Sequence, residues 1–315
     1  MRQRPLGKTG LIVSELSLGT WGLSGDAYGP VDEAEAERVI RRAVDLGISL
    51  FDTADAYGAG RMEALLGRVL ATNANAVIVT KGGIDRTVSP AKRRFDGAYI
   101  RQSVERSLRR MKRDHLDVYL LHNPSVDALF VGDAQSVLED LKHAGKIRHW
   151  GVSTGDFDTT HAAIDRGAEV VELAYNLFEF RTLHKVTGDI MVNRTGVLAR
   201  STLGYGLFAG QWTDQTEFAA EDHRAERWSK IDLEQRIDQL RNVRFLVKGD
   251  VKTMRAAALR YVLANHVVSS AVLGPKTVLQ LDELVKESGG GPRYLPDHDL
   301  VELHRVLDKA GIHYE

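Results

Sequence analysis

The amino-acid sequence predicts one (β/α)8 TIM barrel spanning 1–315, and three observations predict it. Short apolar runs rich in β-branched residues alternate with amphipathic helical stretches, the runs number eight, and no linker interrupts the alternation. The runs fall at 15–18, 49–52, 76–80, 118–121, 149–152, 170–173, 196–199 and 270–273. Before the first of them, Gln3 to Pro5 and Leu11 to Val13 flank Gly7-Lys8-Thr9-Gly10, the pattern of a small N-terminal hairpin closing one end of the barrel. The first helix is marked by Asp32 as N-cap with Glu35 three residues on, by Ala36, Val39, Ile40 and Ala43 at helical spacing, and by Gly47 at its stop. Ile100, Val104, Leu108 and Met111 repeat that stripe after the third run, and Val137, Leu138 and Leu141 repeat it after the fourth. Beyond the last run, 297–310 reads as an additional C-terminal helix, reached through a joint at Gly289-Gly290-Gly291-Pro292. The charged segment 214–248, interrupted by Trp228, Ile231 and Phe245, has no place assigned by these patterns.

Composition narrows the function classes. Hydrophobic residues make up 43% and Lys+Arg 42 stand against Asp+Glu 43, so the chain has material for a core and little net charge to attract nucleic acid. The absence of cysteine removes disulfides, thiol catalysis and cysteine metal sites and fits a reducing compartment. No apolar window has the length of a membrane span or a signal-peptide core, and the expected location is the cytoplasm.

Reactive side chains of such a barrel belong at the carboxyl ends of its strands. Asp52 ends the second run, with Tyr57 five residues on; Lys81 follows the third run and His122 the fourth. A free phenol has a pKa of about 10, and an adjacent ammonium lowers it by stabilising phenolate. Lys81 is expected to do this for Tyr57, Asp52 to hold Lys81 charged, and His122 to orient a substrate oxygen. The set suits reduction of an aldehyde or ketone by a donated hydride, with Tyr57 supplying the proton.

Phe51-Asp52-Thr53-Ala54 with Tyr57-Gly58, Val79-Thr80-Lys81-Gly82 and Asp117-Val118-Tyr119-Leu120-Leu121-His122 resemble the tetrad motifs of the aldo-keto reductases, in particular bacterial members related to potassium-channel beta subunits. Gly145-Lys146-Ile147-Arg148, Gly151-Val152-Ser153, Tyr175-Asn176 and Leu203-Gly204-Tyr205-Gly206-Leu207 are similar to further landmarks in the same order. The resemblance implies an extended NADPH, with NADH admitted, and a small carbonyl substrate. It implies cofactor contacts from Gly19, Thr20, Trp21, Asp52, Ser153, Thr154, Glu172, Arg200, Ser201, Leu203, Gly204, Gly206, Gly274, Lys276, Gln280 and Glu283.

Three departures from the family pattern stand out. Thr154 replaces an asparagine, Glu172 a glutamine, and Arg200 the aromatic residue that often stacks on the nicotinamide. Glu172 and Arg200 are expected to form an ion pair beneath that ring. At the adenosine end, Gln280 and Leu284 replace an arginine and an asparagine, while Lys276 favours NADPH. Two other readings compete: a cofactor-sensing binding subunit with little turnover, and a hydrolase whose metal is held by Asp52, Asp55 and His122. Trp21 and Tyr28 are candidates for shaping the substrate pocket, and Lys92-Arg93-Arg94 reads as a solvated loop.

Overall fold

The computed structural model describes residues 1–130, 132–289 and 294–313. Eight parallel strands close into a barrel: Leu16–Gly19, Leu50–Asp52, Val77–Gly82, Leu116–His122, Ile147–Ser153, Val170–Ala174, Gly196–Arg200 and Ser270–Leu273. Closure is made where the last strand meets the first, with Ala271 paired to Leu16 and Leu273 to Leu18. All eight predicted runs are strands of this barrel. The (β/α)8 architecture is therefore the one the apolar alternation implied.

Successive side chains of a strand point to opposite faces, and this period of two organises the molecule. Leu50, Val77, Val79, Val118, Leu120, Val170, Leu198 and Val272 pack together inside the barrel. Phe51, Ile78, Tyr119, Leu121, Val171, Val197 and Ala199 alternate with them and pack with the surrounding helices. Continuing the inward set by one more step along five strands gives Asp52, Lys81, His122, Glu172 and Arg200. The top layer of the barrel interior is thus charged or polar, while the layers beneath it are apolar.

The hairpin forms from Gln3–Pro5 and Ile12–Ser14, and its Leu6 and Val13 join the interior cluster with no exposure. They plug the end opposite the charged layer. At Gly151 the fifth and sixth strands approach closely, and an added Cβ would lie 1.8 Å from the Val170 carbonyl oxygen. Because the obstacle is backbone, Gly151→Ala is expected to destabilise the fold by about 3 kcal/mol or more. A thermal melt unchanged from wild type would contradict this account.

Two expectations need correction. Asp32 is the N-cap of helix Glu33–Asp45, but its side chain makes no capping bond, and Glu35 does not reach back to it. Glu35 instead binds Arg38 at 2.9 Å and accepts from the Val278 amide at 3.1 Å, tying the first helix to Val278–Glu287. The segment 214–248 also acquires a place. Asp222 bridges to Tyr28, and the His223 amide donates to the Ala27 carbonyl at 2.9 Å, so the chain after the seventh strand crosses to the first loop over the barrel mouth. Helix Lys230–Asn242 then meets the terminal helix Asp297–Lys309, where Gln239 donates to the Ala310 carbonyl at 3.1 Å. Positions 290–292 of the glycine-rich joint lie outside the described residues. No described helix is long and apolar enough to cross a membrane.

Candidate active site

A cavity of about 1300 Å³ opens at the carboxyl ends of the strands. The loop that carries Tyr57 is pinned to the third strand, the Thr53 amide donating to the Val79 carbonyl at 2.8 Å and the Asp55 amide to the Lys81 carbonyl at 2.9 Å. Past Tyr57 the backbone turns sharply, with Gly58, Ala59 and Gly60 all at positive φ, and enters helix Arg61–Val69. Arg86, ion-paired with Asp26, donates to the Ala56 carbonyl at 2.6 Å, so two further loops clamp this one.

Lys81 is 1% exposed at the centre of the site. Its ammonium donates to Asp52 and to the Thr53 carbonyl at 3.0 Å, and it lies 5.4 Å from the centroid of the Tyr57 ring. His122 meets that ring edge-on, with centroids 5.9 Å apart. Lys81 also stands 3.1 Å from Glu172 Oε2. That contact falls outside hydrogen-bond geometry, and Glu172 Oε2 is buried without a donor, as is His122 Nδ1.

The expected ion pair between Glu172 and Arg200 does not form. Glu172 pairs with Lys81, and the Arg200 guanidinium donates to the Thr154 carbonyl at 3.0 Å and the Ser201 hydroxyl at 3.3 Å. The cause lies in the barrel interior: inward side chains of the third and sixth strands meet across it, which pairing between neighbouring strands does not reveal.

Burial, followed by the neighbouring Glu172 carboxylate, pushes the Asp52 carboxyl up to about 7, against the pull of Lys81. Burial opposes the charge on Lys81, yet Asp52 and Glu172 hold it above its ordinary value. Burial, with Lys81 and Arg200, drives His122 down to about 3, so its imidazole is neutral. Tyr57 differs from expectation. Burial raises the phenol above its ordinary value, and the lowering by Lys81 is the smaller effect, opposed in turn by Asp52 and Glu172. The phenol is therefore firmly protonated.

Behind the Tyr57 loop, Asp55 accepts from Ser103 at 2.9 Å, and Ser103 accepts from Tyr119 at 3.0 Å. Burial and the nearby Glu63 raise the Asp55 carboxyl to about 7. A carboxyl raised in the folded state contributes stability below its unfolded pKa of about 4, and that contribution is lost as pH rises through the folded value. Asp55→Asn is expected to raise the melting temperature by about 5 °C at pH 8 and by little at pH 5. Equal shifts at both pH values would refute the assignment.

Of the positions implied as cofactor contacts, Gly19, Trp21, Asp52, Ser153, Glu172, Arg200, Ser201, Leu203, Gly206, Gly274, Lys276, Gln280 and Glu283 line the cavity. Thr20, Thr154 and Gly204 do not. Thr20 donates to the Asp52 carbonyl at 3.0 Å, Thr154 bonds Thr160 at 3.1 Å, and Gly204 sits against Phe208. The wall also includes Arg93, Tyr205, Trp212, Arg224, Arg227 and Arg255, which sequence patterns did not single out as wall residues. Tyr28 lines the wall as well, edge-on to Trp21 at 5.4 Å. Among the described residues, no group of three His, Asp or Glu is arranged to hold a metal ion.

A closed barrel with a cavity of about 1300 Å³ ringed by titratable groups at its strand ends defines a barrel enzyme. The model of the aldo/keto reductase family matches residues 15–288, and the chain belongs to that family. It is 29% identical over 320 residues to the aldo-keto reductase YhdN of Bacillus subtilis, covering 98% of this chain and 95% of that protein. It is 30% identical over 293 residues to an L-galactose dehydrogenase of Arabidopsis thaliana, covering 90% and 86%. Among solved structures it is similar to a glycerol dehydrogenase of Gluconobacter oxydans, with a TM-score of 0.83, 28% identity and coverage of 98% and 95%. An aldo-keto reductase of Bacillus halodurans shares the fold, with a TM-score of 0.82, 24% identity and coverage of 97% and 96%. The chain is an oxidoreductase of the aldo-keto reductase type.

Proposed function

We propose that this oxidoreductase reduces a small aldehyde or ketone with NADPH, or less readily NADH, and that Tyr57 is the general acid. The observation that carries the proposal is the gathering of Tyr57, Lys81, Asp52 and His122 at a cavity whose wall also holds Lys276 and Gln280.

The cavity suits a nicotinamide dinucleotide on its own terms. The Glu172 carboxylate on the cavity wall can accept from the amide nitrogen of a carboxamide, for which Ser153 is a second partner. Arg200 presents a planar guanidinium, Ser201, Leu203 and Gly206 continue the wall, and Lys276 offers a cation to phosphate. When bound, the reduced cofactor supplies a hydride to the carbonyl carbon.

The residues of the chain do the rest. His122, neutral, orients the carbonyl oxygen. As negative charge develops on that oxygen, Tyr57 transfers its phenolic proton, and Lys81 stabilises the phenolate left behind. Asp52 keeps the ammonium in place. The relatives named for glycerol and L-galactose support small polyhydroxylated carbonyl compounds as the first substrates to try.

Fluorescence titration with NADPH and NADH, followed by cofactor-oxidation assays on activated aldehydes, tests the proposal. Binding with turnover supports it; binding without turnover on any carbonyl favours the sensing subunit, and failure to bind either nucleotide overturns both.

A further inference from the structure

Glu172 stands on the sixth strand, faces into the barrel and lines the cavity while being 1% exposed. One ammonium, Lys81, serves two carboxylates, and its hydrogen bonds go to Asp52 and the Thr53 carbonyl. The other cation nearby, the half-buried Arg200, donates to the Thr154 carbonyl and the Ser201 hydroxyl rather than to Glu172. Glu172 is therefore the second of two carboxylates that share one ammonium, and its Oε2, 3.1 Å from Lys81, receives no hydrogen bond. A carboxylate in that condition is costly unless something entering the cavity compensates it.

A carboxamide N–H2 would satisfy the oxygen equally in both oxidation states of a nicotinamide. The charge of the carboxylate, by contrast, separates the two states, because only the oxidised ring is a cation. We propose that Glu172 makes this cavity bind the oxidised, positively charged nicotinamide more tightly than the reduced one, and so favours departure of the hydride. The proposal rests on the dinucleotide reading above. In the reduction, two electrons and a hydrogen nucleus pass to the carbonyl carbon, and the carbonyl π pair takes the phenolic proton of Tyr57. A positive charge would remain on the donor ring, and the Glu172 carboxylate on the cavity wall would offset it. The same carboxylate raises the Tyr57 phenol, keeping the proton on the acid until it is needed.

Arg200 acts with the opposite sign, which provides an internal control. The test is a set of fluorescence titrations of wild type, Glu172→Gln and Arg200→Met with NADP+ and NADPH, reporting the ratio of the two dissociation constants. Wild type is expected to bind NADP+ the more tightly. Glu172→Gln should move the ratio toward the reduced form by about tenfold, equivalent to about 1.4 kcal/mol, and Arg200→Met should move it the other way. NAD+ and NADH should show the same shifts, since the difference lies at the ring. Equal weakening of both oxidation states in Glu172→Gln would reduce the residue to an amide ligand or a packing element and overturn the proposal. Should that variant fail to fold, a wild-type preference for the reduced form, or no shift in Arg200→Met, overturns it equally. Wild type binding neither nucleotide would instead mark failure of the dinucleotide reading itself.

Discussion

Tyr57→Phe is expected to lower kcat by about a thousandfold or more while changing the NADPH dissociation constant by less than about twofold. The substitution removes one oxygen from a ring whose face and edge are held by Lys81 and His122, so the cavity keeps its shape. Without that oxygen, the alkoxide must take its proton from water or from an imidazole already neutral and pushed down to about 3. Neither is a comparable acid at that position. Steady-state kinetics on the variant, with the nucleotide titration run in parallel, checks the split. Retention of more than about a tenth of wild-type kcat would place the proton donor elsewhere.

Lys81→Met should show the second large effect, and it extends beyond catalysis. Removing the ammonium leaves Asp52 and Glu172, 3% and 1% exposed, as two buried carboxylates with their shared cation gone. Breaking a buried pair by deleting one partner costs about 3–5 kcal/mol, which for a chain of this size lowers the melting temperature by on the order of 10 °C. The sign of the pH dependence follows. With the cation gone, the Asp52 carboxyl loses the group that held it down and is raised further in the folded state relative to the unfolded one, so the penalty is present at neutral pH and relieved as pH falls. The variant should recover stability toward pH 5, and Asp52→Asn added to Lys81→Met should recover part of it at pH 7. A Lys81→Met protein as stable as wild type at pH 7 would mean that the carboxylates are solvated or paired otherwise.

Much of the site was legible because it follows the strand period. Asp52, Lys81 and His122 each continue an inward apolar series by one step, and the position of Tyr57 follows from the loop after Asp52. What was not legible depends on distances across the barrel and on burial. The sequence contains no sign that Glu172 reaches Lys81 through the interior instead of Arg200 on the neighbouring strand. Nor does it show that desolvation of Tyr57 outweighs the ammonium beside it. The failed capping box at Asp32 has the same origin, a distant backbone amide at Val278 competing for Glu35. Arg93 is exposed, as a solvated loop implies, and its place on the cavity wall follows only from the folded loop.

Leu6 and Val13 close the amino end of the barrel with no exposure, and apolar layers fill the space between them and the charged groups. Water therefore meets those groups from one side. If Tyr57 gives up its proton as proposed, the replacement comes through the mouth that admits the reactants, because among the described residues the opposite end is filled by apolar side chains. A hairpin remote from every charged group of the site thus confines solvent to the side from which the reactants enter.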